Sequence, residues 1–471
     1  MTEDLSFLPA FRLVEEYRGR RLSPVEVTRA VLERIEALNP ALNAFVTLCP
    51  AEALRDATAS EEAYRRGQPR GPLDGVPVSI KDLVATKGLR TTFGSFLFRD
   101  FVPDHDAPLV ERLRAGGAVI LGKTNTPEFG AAPFTDNLVF GRTNNPWNLE
   151  RTSGGSSGGA GAAVAAGLGP VAQGSDGGGS IRIPSAFCGV FGLKPTYGRI
   201  PRESSAASWS TLSHLGPMTR TVRDAALFLD ATAGHHPADP FSLPPPPEPY
   251  AREVDRGVKG LRAAWSPDLG WGVVDPQVEA LCREAAFALA EAGALVEART
   301  PELLDPQETR TFMNIAAPED TAFFARFSED ELGLLTDEAR AFHEYGKRLS
   351  AVELVEANQR RWTLRNQLDA FFREYDLLLT PAVAIPAFPH GTDVREVAGT
   401  PVRPFGWSPF TVPFNLTGLP AASVPCGFVD GLPVGLQIVA PAFRDDLALR
   451  ASRALELLRP WADRIPPVAA R

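Results

Sequence analysis

SGGSSGGAGAAVAAGLGPVAQGSDGGGS, residues 153–180, is two glycine- and serine-rich loops joined by an uncharged run. From Gly154 to Ser175 no residue is charged, and Pro170 interrupts the run. That composition makes a poor membrane span and a good buried, tightly packed helix. Upstream, a lysine closes a second apolar run, GVPVSIKD at 75–82. Ser156 stands 75 positions after Lys81, and Ser180 stands 24 after Ser156. A lysine and two loop serines are the parts of a serine nucleophile activated without histidine. Serine is a weak nucleophile until a neighbouring base takes its proton, and a lysine held neutral can be that base. The backbone N–H groups of Gly177, Gly178, Gly179 and Ser180 could meet the negative charge that develops on a carbonyl oxygen.

Other readings of the same loops are weaker. A single Gly/Ser loop is usually a connector, and a strand-end lysine is usually solvated. DGGGS lacks the G-K-[ST] of a phosphate-binding P-loop. GGSSG at 154–158 fits the G-x-S-x-G nucleophile elbow, but that elbow must follow a strand directly. The preceding NNPWNLERT, residues 144–152, reads as turn-rich and unlike a strand.

Outward from these loops the pattern alternates. VPVSI (76–80), AVIL (118–121) and VAQ (171–173) read as short buried strands, with helical patterns such as LVERLR (109–114) between them. Alternation of this kind predicts an α/β sheet with helices on both faces and chemistry at the strand ends. Ser23-Pro24-Val25-Glu26 predicts a capping box, and Asn39-Pro40 predicts the end of that helix. Thr221 and Asp224 predict another helix start, and AVELVEANQRRW (351–362) reads as helical. AASVPC (421–426) and LPVGLQIV (432–439) predict a hairpin across Asp430-Gly431. LPPPPEP at 243–249 looks like a polyproline linker. Sheet-like runs such as DLLLT (376–380) continue beyond it, so 1–471 reads as one domain. Its catalytic core would span 65–235, and residues about 240–410 would be an elaboration that shapes the substrate site.

Composition narrows the function classes. A chain of 471 residues with 44% hydrophobic and 22% charged residues can bury a large core. A net charge of −9 implies no basic surface for nucleic acid or anionic membranes. Only six of the 48 basic residues are lysines, so Lys81 within an apolar run stands out. Four scattered cysteines without a C-x-x-C pair argue against zinc or a disulfide framework, and suit a reducing cytoplasm. The opening residues lack the basic and apolar regions of a signal peptide. The six histidines have no paired aspartate motif, and His235-His236 lacks further ligands at metal spacing. No metal and no cofactor are expected.

These residues resemble the amidase signature family. The likeness covers the lysine segment, the serine/glycine signature and the nucleophile loop DGGGSIRIP at 176–184. It continues through TNTPEFG (124–130), FCGVFGLKPT (187–196), GPMTRTVRD (216–224) and GLPVGLQIV (431–439). The resemblance implies a single large domain with a central twisted mixed β-sheet flanked by helices. It implies Ser180 as nucleophile, Ser156 as proton relay after a cis peptide bond at Gly155–Ser156, and Lys81 as base. Gly177 to Ser180 would form the oxyanion hole, with Ser175 a supporting hydroxyl. Arg182 would orient the loop or a polar substrate end, or pair with Asp176.

The activity so implied is hydrolysis of a small carboxylic amide to acid and ammonia through an acyl-enzyme. The expected partners are a small-molecule amide and, at most, a second copy of the chain, with no nucleic acid and no membrane. The same family supplies the ammonia-producing component of a tRNA-dependent amidotransferase. That component carries an acid before its F-T-x-P segment, where this chain has Ser408. A third reading, an inactive binding module, conflicts with the intact Lys81, Ser156 and Ser180. Aromatic residues in the segments expected near the substrate (Phe312, Phe323, Phe324, Phe405, Trp407, Phe410) hint at an apolar or aryl acid part.

Overall fold

The structure is a computed structural model, and it describes residues 4–203, 209–303 and 308–470. The apolar runs form an eleven-stranded sheet. Its strands are β1 (Phe45–Leu48), β2 (Pro77–Lys81), β3 (Val119–Thr124), β4 (Val171–Asp176), β5 (Phe191–Lys194), β6 (His214–Thr219), β7 (Arg262–Trp265), β8 (Leu295–Ala298), β9 (Leu377–Pro381), β10 (Ala421–Val429) and β11 (Leu432–Val439). The order across the sheet is β1-β3-β2-β4-β6-β5-β10-β11-β9-β7-β8. β3, β2 and β4 run parallel, as do β9, β7 and β8, and the strands between them are antiparallel. The fold is therefore α/β with one mixed sheet, and strands from both sides of the polyproline segment belong to it.

Helices α1 (Pro24–Leu42), α2 (Gly158–Ala165), α3 (Arg182–Cys188) and α4 (Val222–Thr232) pack against the central sheet. The Ser23 side chain accepts from the Val25 N–H, while Glu26 accepts from the Ser23 N–H, so the box that starts α1 is formed. Asn39-Pro40 does not end it. α1 runs to Leu42 and stops at Asn43, whose φ is +50°. Asn39 instead accepts from the N–H groups of Ala44 and Phe45, which fixes the chain as it leaves the helix. Thr221 caps α4 by accepting from the Asp224 N–H. The β10–β11 hairpin turns at Asp430 and Gly431, both at positive φ, as a two-residue turn requires.

One correction concerns residues 144–152. They form a small two-stranded ribbon, Asn144–Asn145 against Asn148–Thr152. It stands apart from the main sheet, and five residues separate its second strand from α2. The turn at Ser156 is thus not a tight elbow on a sheet strand. Among the described residues, no helix is long and apolar enough to cross a membrane.

Every residue of α2 is buried, because its glycines and alanines let the helix lie directly on other backbone. At Gly159 a Cβ would fall 2.4 Å from the Asn125 nitrogen and 2.6 Å from the Ala44 oxygen. Neither backbone atom can swing aside as a flexible side chain would. Gly159→Ala is therefore expected to cost about 1–3 kcal/mol of stability, read as a lower denaturant midpoint; an unchanged midpoint would show that α2 has slack.

Candidate active site

β2 and β4 are parallel neighbours, so their C-terminal ends open onto the same edge of the sheet. β2 delivers Lys81 there, and β4 delivers Ser175 and Asp176. The 153–159 loop lies against them, tied by the Ser157 N–H donating to the Ser180 carbonyl at 3.1 Å. The Gly155–Ser156 bond is cis. Lys81 is wholly buried, with its N–H on the Gln173 side-chain oxygen. Its Nζ reaches three hydroxyls: Ser156 at 2.6 Å, Ser157 at 2.9 Å and Ser175 at 3.0 Å. Burial pushes this ammonium well below the usual lysine range, and the nearby Asp176 charge offsets that only in part.

Two other lysines are equally buried, and the contrast is chemical. Lys123 donates to the Val84 carbonyl and to Thr86, and Lys194 donates to the carbonyls of Leu419 and Pro195. Burial lowers the pKa of all three, but a carbonyl can only accept, so it has no proton to give to a neutral amine. A hydroxyl can also donate; Thr86 gives its proton to the Val84 carbonyl, whereas Lys81 meets three hydroxyls, two of which, Ser156 and Ser175, line a cavity together with Ser180. Asp82, beside Lys81 in sequence, turns away and accepts from the N–H and hydroxyl of Thr92.

The 176–182 loop is shaped by a buried ion pair. Arg182 makes two parallel bonds to Asp176, both 2.9 Å, and neither side chain is exposed. Its remaining donors reach the Thr411 carbonyl, Asn415 and Gln437. Burial alone would raise the Asp176 carboxyl; the Arg182 charge and hydrogen bonds outweigh it and hold the group below its ordinary range. Arg182 thus holds the loop, and it does not line either cavity at Ser180.

Asp176 also accepts from the N–H groups of Gly179 (2.7 Å) and Ile181 (3.1 Å). The Gly179 N–H, one of the four expected oxyanion donors, is thus engaged by a carboxylate. Among the described residues, the N–H groups of Gly177, Gly178 and Ser180 have no acceptor. Three donors therefore remain where four were expected.

Ser180 lies between two cavities. The smaller, about 70 Å³, is lined by Ser156, Ser175, Gly177, Arg202 and Glu203 among others. The larger, about 420 Å³, is lined by Gly178, Ile183, Phe312, Met313, Phe342 and Ser408 among others. Of the six aromatics singled out in the sequence, Phe312 and Phe405 line it. Phe323 and Phe324 join an aromatic cluster with Phe93 and Phe129, while Trp407 stacks on Phe187 and Phe410 is core. Sequence reasoning missed Ser157 and Trp209. A second hydroxyl next to Ser156 was a visible signal for the first; nothing local marks the second.

The amidase family profile matches residues 26–449. An acylamidase from Rhodococcus erythropolis is 42% identical, over 99% of this chain and 98% of its own length. A glutamyl-tRNA(Gln) amidotransferase component from Chloroflexus aggregans is 39% identical, over 95% of this chain and 96% of its own. The crystal structure of a bacterial aryl acylamidase belonging to the amidase signature family matches with a TM-score of 0.93 at 32% identity, covering 99% of both chains. The chain belongs to the amidase signature family, and it is a serine hydrolase that cleaves amide bonds.

The ion pair gives a direct test of how the loop is held. Asp176→Asn leaves the Arg182 cation buried without its counter-charge. Removing one partner of such a pair is expected to cost about 3–5 kcal/mol, measured by chemical denaturation. A loss below about 1 kcal/mol would mean that the neutral hydrogen bonds suffice.

Proposed function

We propose that Lys81, Ser156 and Ser180 hydrolyse a small carboxylic amide with an apolar acid part, through an acyl-enzyme on Ser180. The observation that carries this reading is the Lys81 amine. It is buried, its protonated form is disfavoured, and it lies 2.6 Å from the hydroxyl of Ser156 in the wall of a cavity shared with Ser180. In the proposed cycle Ser180 attacks the carbonyl carbon as its proton passes to Ser156, and the Ser156 proton passes to Lys81. The N–H groups of Gly177, Gly178 and Ser180 stabilise the oxyanion. The proton returns through Ser156 to the departing amine, because an amine leaves only when protonated. Water then enters by the same relay and releases the acid. Ser175 and Ser157 hold the amine in place.

The apolar acid part is supported by the larger cavity, whose lining includes Ile183, Phe312, Met313, Phe342 and Val412. The alternative is the ammonia-producing component of a tRNA-dependent amidotransferase, in keeping with the 39% identical relative. Ser408 lines this cavity and offers a hydroxyl, with no charge for a glutamine ammonium. Glu338, the carboxylate at its rim, is exposed and shares that rim with Arg348. We therefore favour a chain that works alone. The four cysteines are free thiols, which supports a reducing, cytoplasmic setting.

The purified chain should release ammonia from aryl-alkyl amides without ATP, tRNA or a second protein; a strict need for a partner would favour the amidotransferase reading. Ser180→Ala should lower turnover by several powers of ten, as loss of an activated nucleophile does. A fluorophosphonate should label the wild-type chain at Ser180, and labelling at Ser156 would overturn the assignment.

The pH profile tests Lys81. Its folded-state pKa is lowered, so the neutral, active form grows as pH rises and is complete well below the range of a free lysine, about 10.4. Activity should climb to a plateau in the neutral-to-alkaline range. Lys81→Arg should stay inactive at every pH because guanidinium keeps its proton; a rise in its activity with pH would remove the lysine from the relay.

A further inference from the structure

Among the described residues, the two cavities at Ser180 share Gly130, Ser180 and Trp209, and only Trp209 brings a large side chain to both. Its indole covers Gly177 so closely that a Cβ there would lie 2.6 Å from the ring. The ring is held from helix α5 (Glu308–Phe324). Asp320 accepts its Nε1–H at 2.9 Å, and Phe312 meets it edge-on with centroids 5.4 Å apart. Phe342, on α6 (Asp337–Lys347), packs against it at 5.7 Å. Glu319 pins the next residue, accepting from both the N–H and the hydroxyl of Ser210. Burial pushes the Asp320 carboxyl up to about 8, and a neutral acid still offers the indole an acceptor. Trp209 is therefore a fixed wall and not a loose flap.

The relay gives the wall a direction. Ser156 lines the smaller cavity and not the larger one. The group that receives a proton from Ser156 is the leaving amine, so the amine belongs on the smaller side. The acid part then extends past Gly178 into the apolar space of about 420 Å³. We infer that Trp209 is a specificity-determining wall between an amine chamber and an acyl chamber, and that it fits the enzyme to amides of large apolar acids with small amines. This rests on the reading of Ser180 and Ser156 given above and names the substrate class of that same site.

The test uses two amides of similar size with opposite polarity. In 3-phenylpropanamide the acid is large and ammonia leaves; in acetanilide the acid is acetyl and aniline leaves. The wild-type chain should show kcat/KM at least ~10-fold higher for the first, the scale on which apolar pockets discriminate. Trp209→Ala should bring the ratio close to unity, mainly by lowering KM for acetanilide, while Trp209→Phe should keep most of the preference. A purely structural role would depress both substrates together and leave the ratio alone. Asp320→Leu frees the indole without truncating it and should narrow the ratio in the same direction. It serves as the readout if Trp209→Ala does not fold. A wild-type preference for acetanilide, or a ratio unmoved in the variants, overturns the inference. Turnover that survives Ser180→Ala overturns the Ser180 reading beneath it. Ser180-dependent turnover with the reverse ratio overturns the inference alone.

Discussion

The buried pairing of Asp176 with Arg182 is the constraint on which the site depends. Asp176 ends β4, and its carboxylate reaches forward to the N–H groups of Gly179 and Ile181. That curls the chain at once after the strand, so Ser180 comes to the wall of both cavities within four residues. A carboxylate placed there without a partner would be too costly to bury, and Arg182 supplies the counter-charge in a bidentate fork. The same guanidinium directs its other donors to Thr411, Asn415 and Gln437, more than 200 positions away. Breaking the pair would therefore loosen the 176–182 loop and its contact with the C-terminal part of the chain together.

Burial also separates three lysines that composition makes look alike. Lys81, Lys123 and Lys194 are all removed from water. Lys123 and Lys194 hold carbonyl groups and act as crosslinks between loops and strands. Lys81 holds three hydroxyls, and Ser156 and Ser175 among them line a cavity with Ser180, which sets it apart from the other two. Desolvation then favours the free amine, and a small difference in partner type turns a structural residue into a candidate base.

The central sheet explains why distant pieces of chain meet at one point. Parallel pairing of β2 with β4 brings Lys81 and Ser175 to the same edge, although they are 94 positions apart. The all-small helix α2 allows the Ser156 loop to approach that edge, because no side chain stands between its backbone and that of Asn125. Helices α5 and α6 then close the far side with Trp209, Phe312 and Phe342, forming the larger cavity from residues with no catalytic pattern of their own.

Local chemistry made much of this legible from sequence. The Asp430-Gly431 turn, the Ser23 capping box and the alternating apolar runs are short-range signals, and each formed as read. The segments carrying Lys81, Ser156 and Ser180 stood out only together, by their order and spacing, since any one of them alone reads as a connector or a solvated charge. Asn39-Pro40 misled, because a proline near a helix end need not break the last turn when a neighbouring side chain satisfies the exit. What only the tertiary structure decided is which groups face each other across hundreds of positions. Engagement of the Gly179 N–H by Asp176, the choice of two among six aromatics as cavity lining, and the place of Trp209 between two chambers all follow from sheet order and helix packing. No local window of sequence holds that information, because the energy that settles it comes from burial and pairing between elements that meet only when the chain has folded.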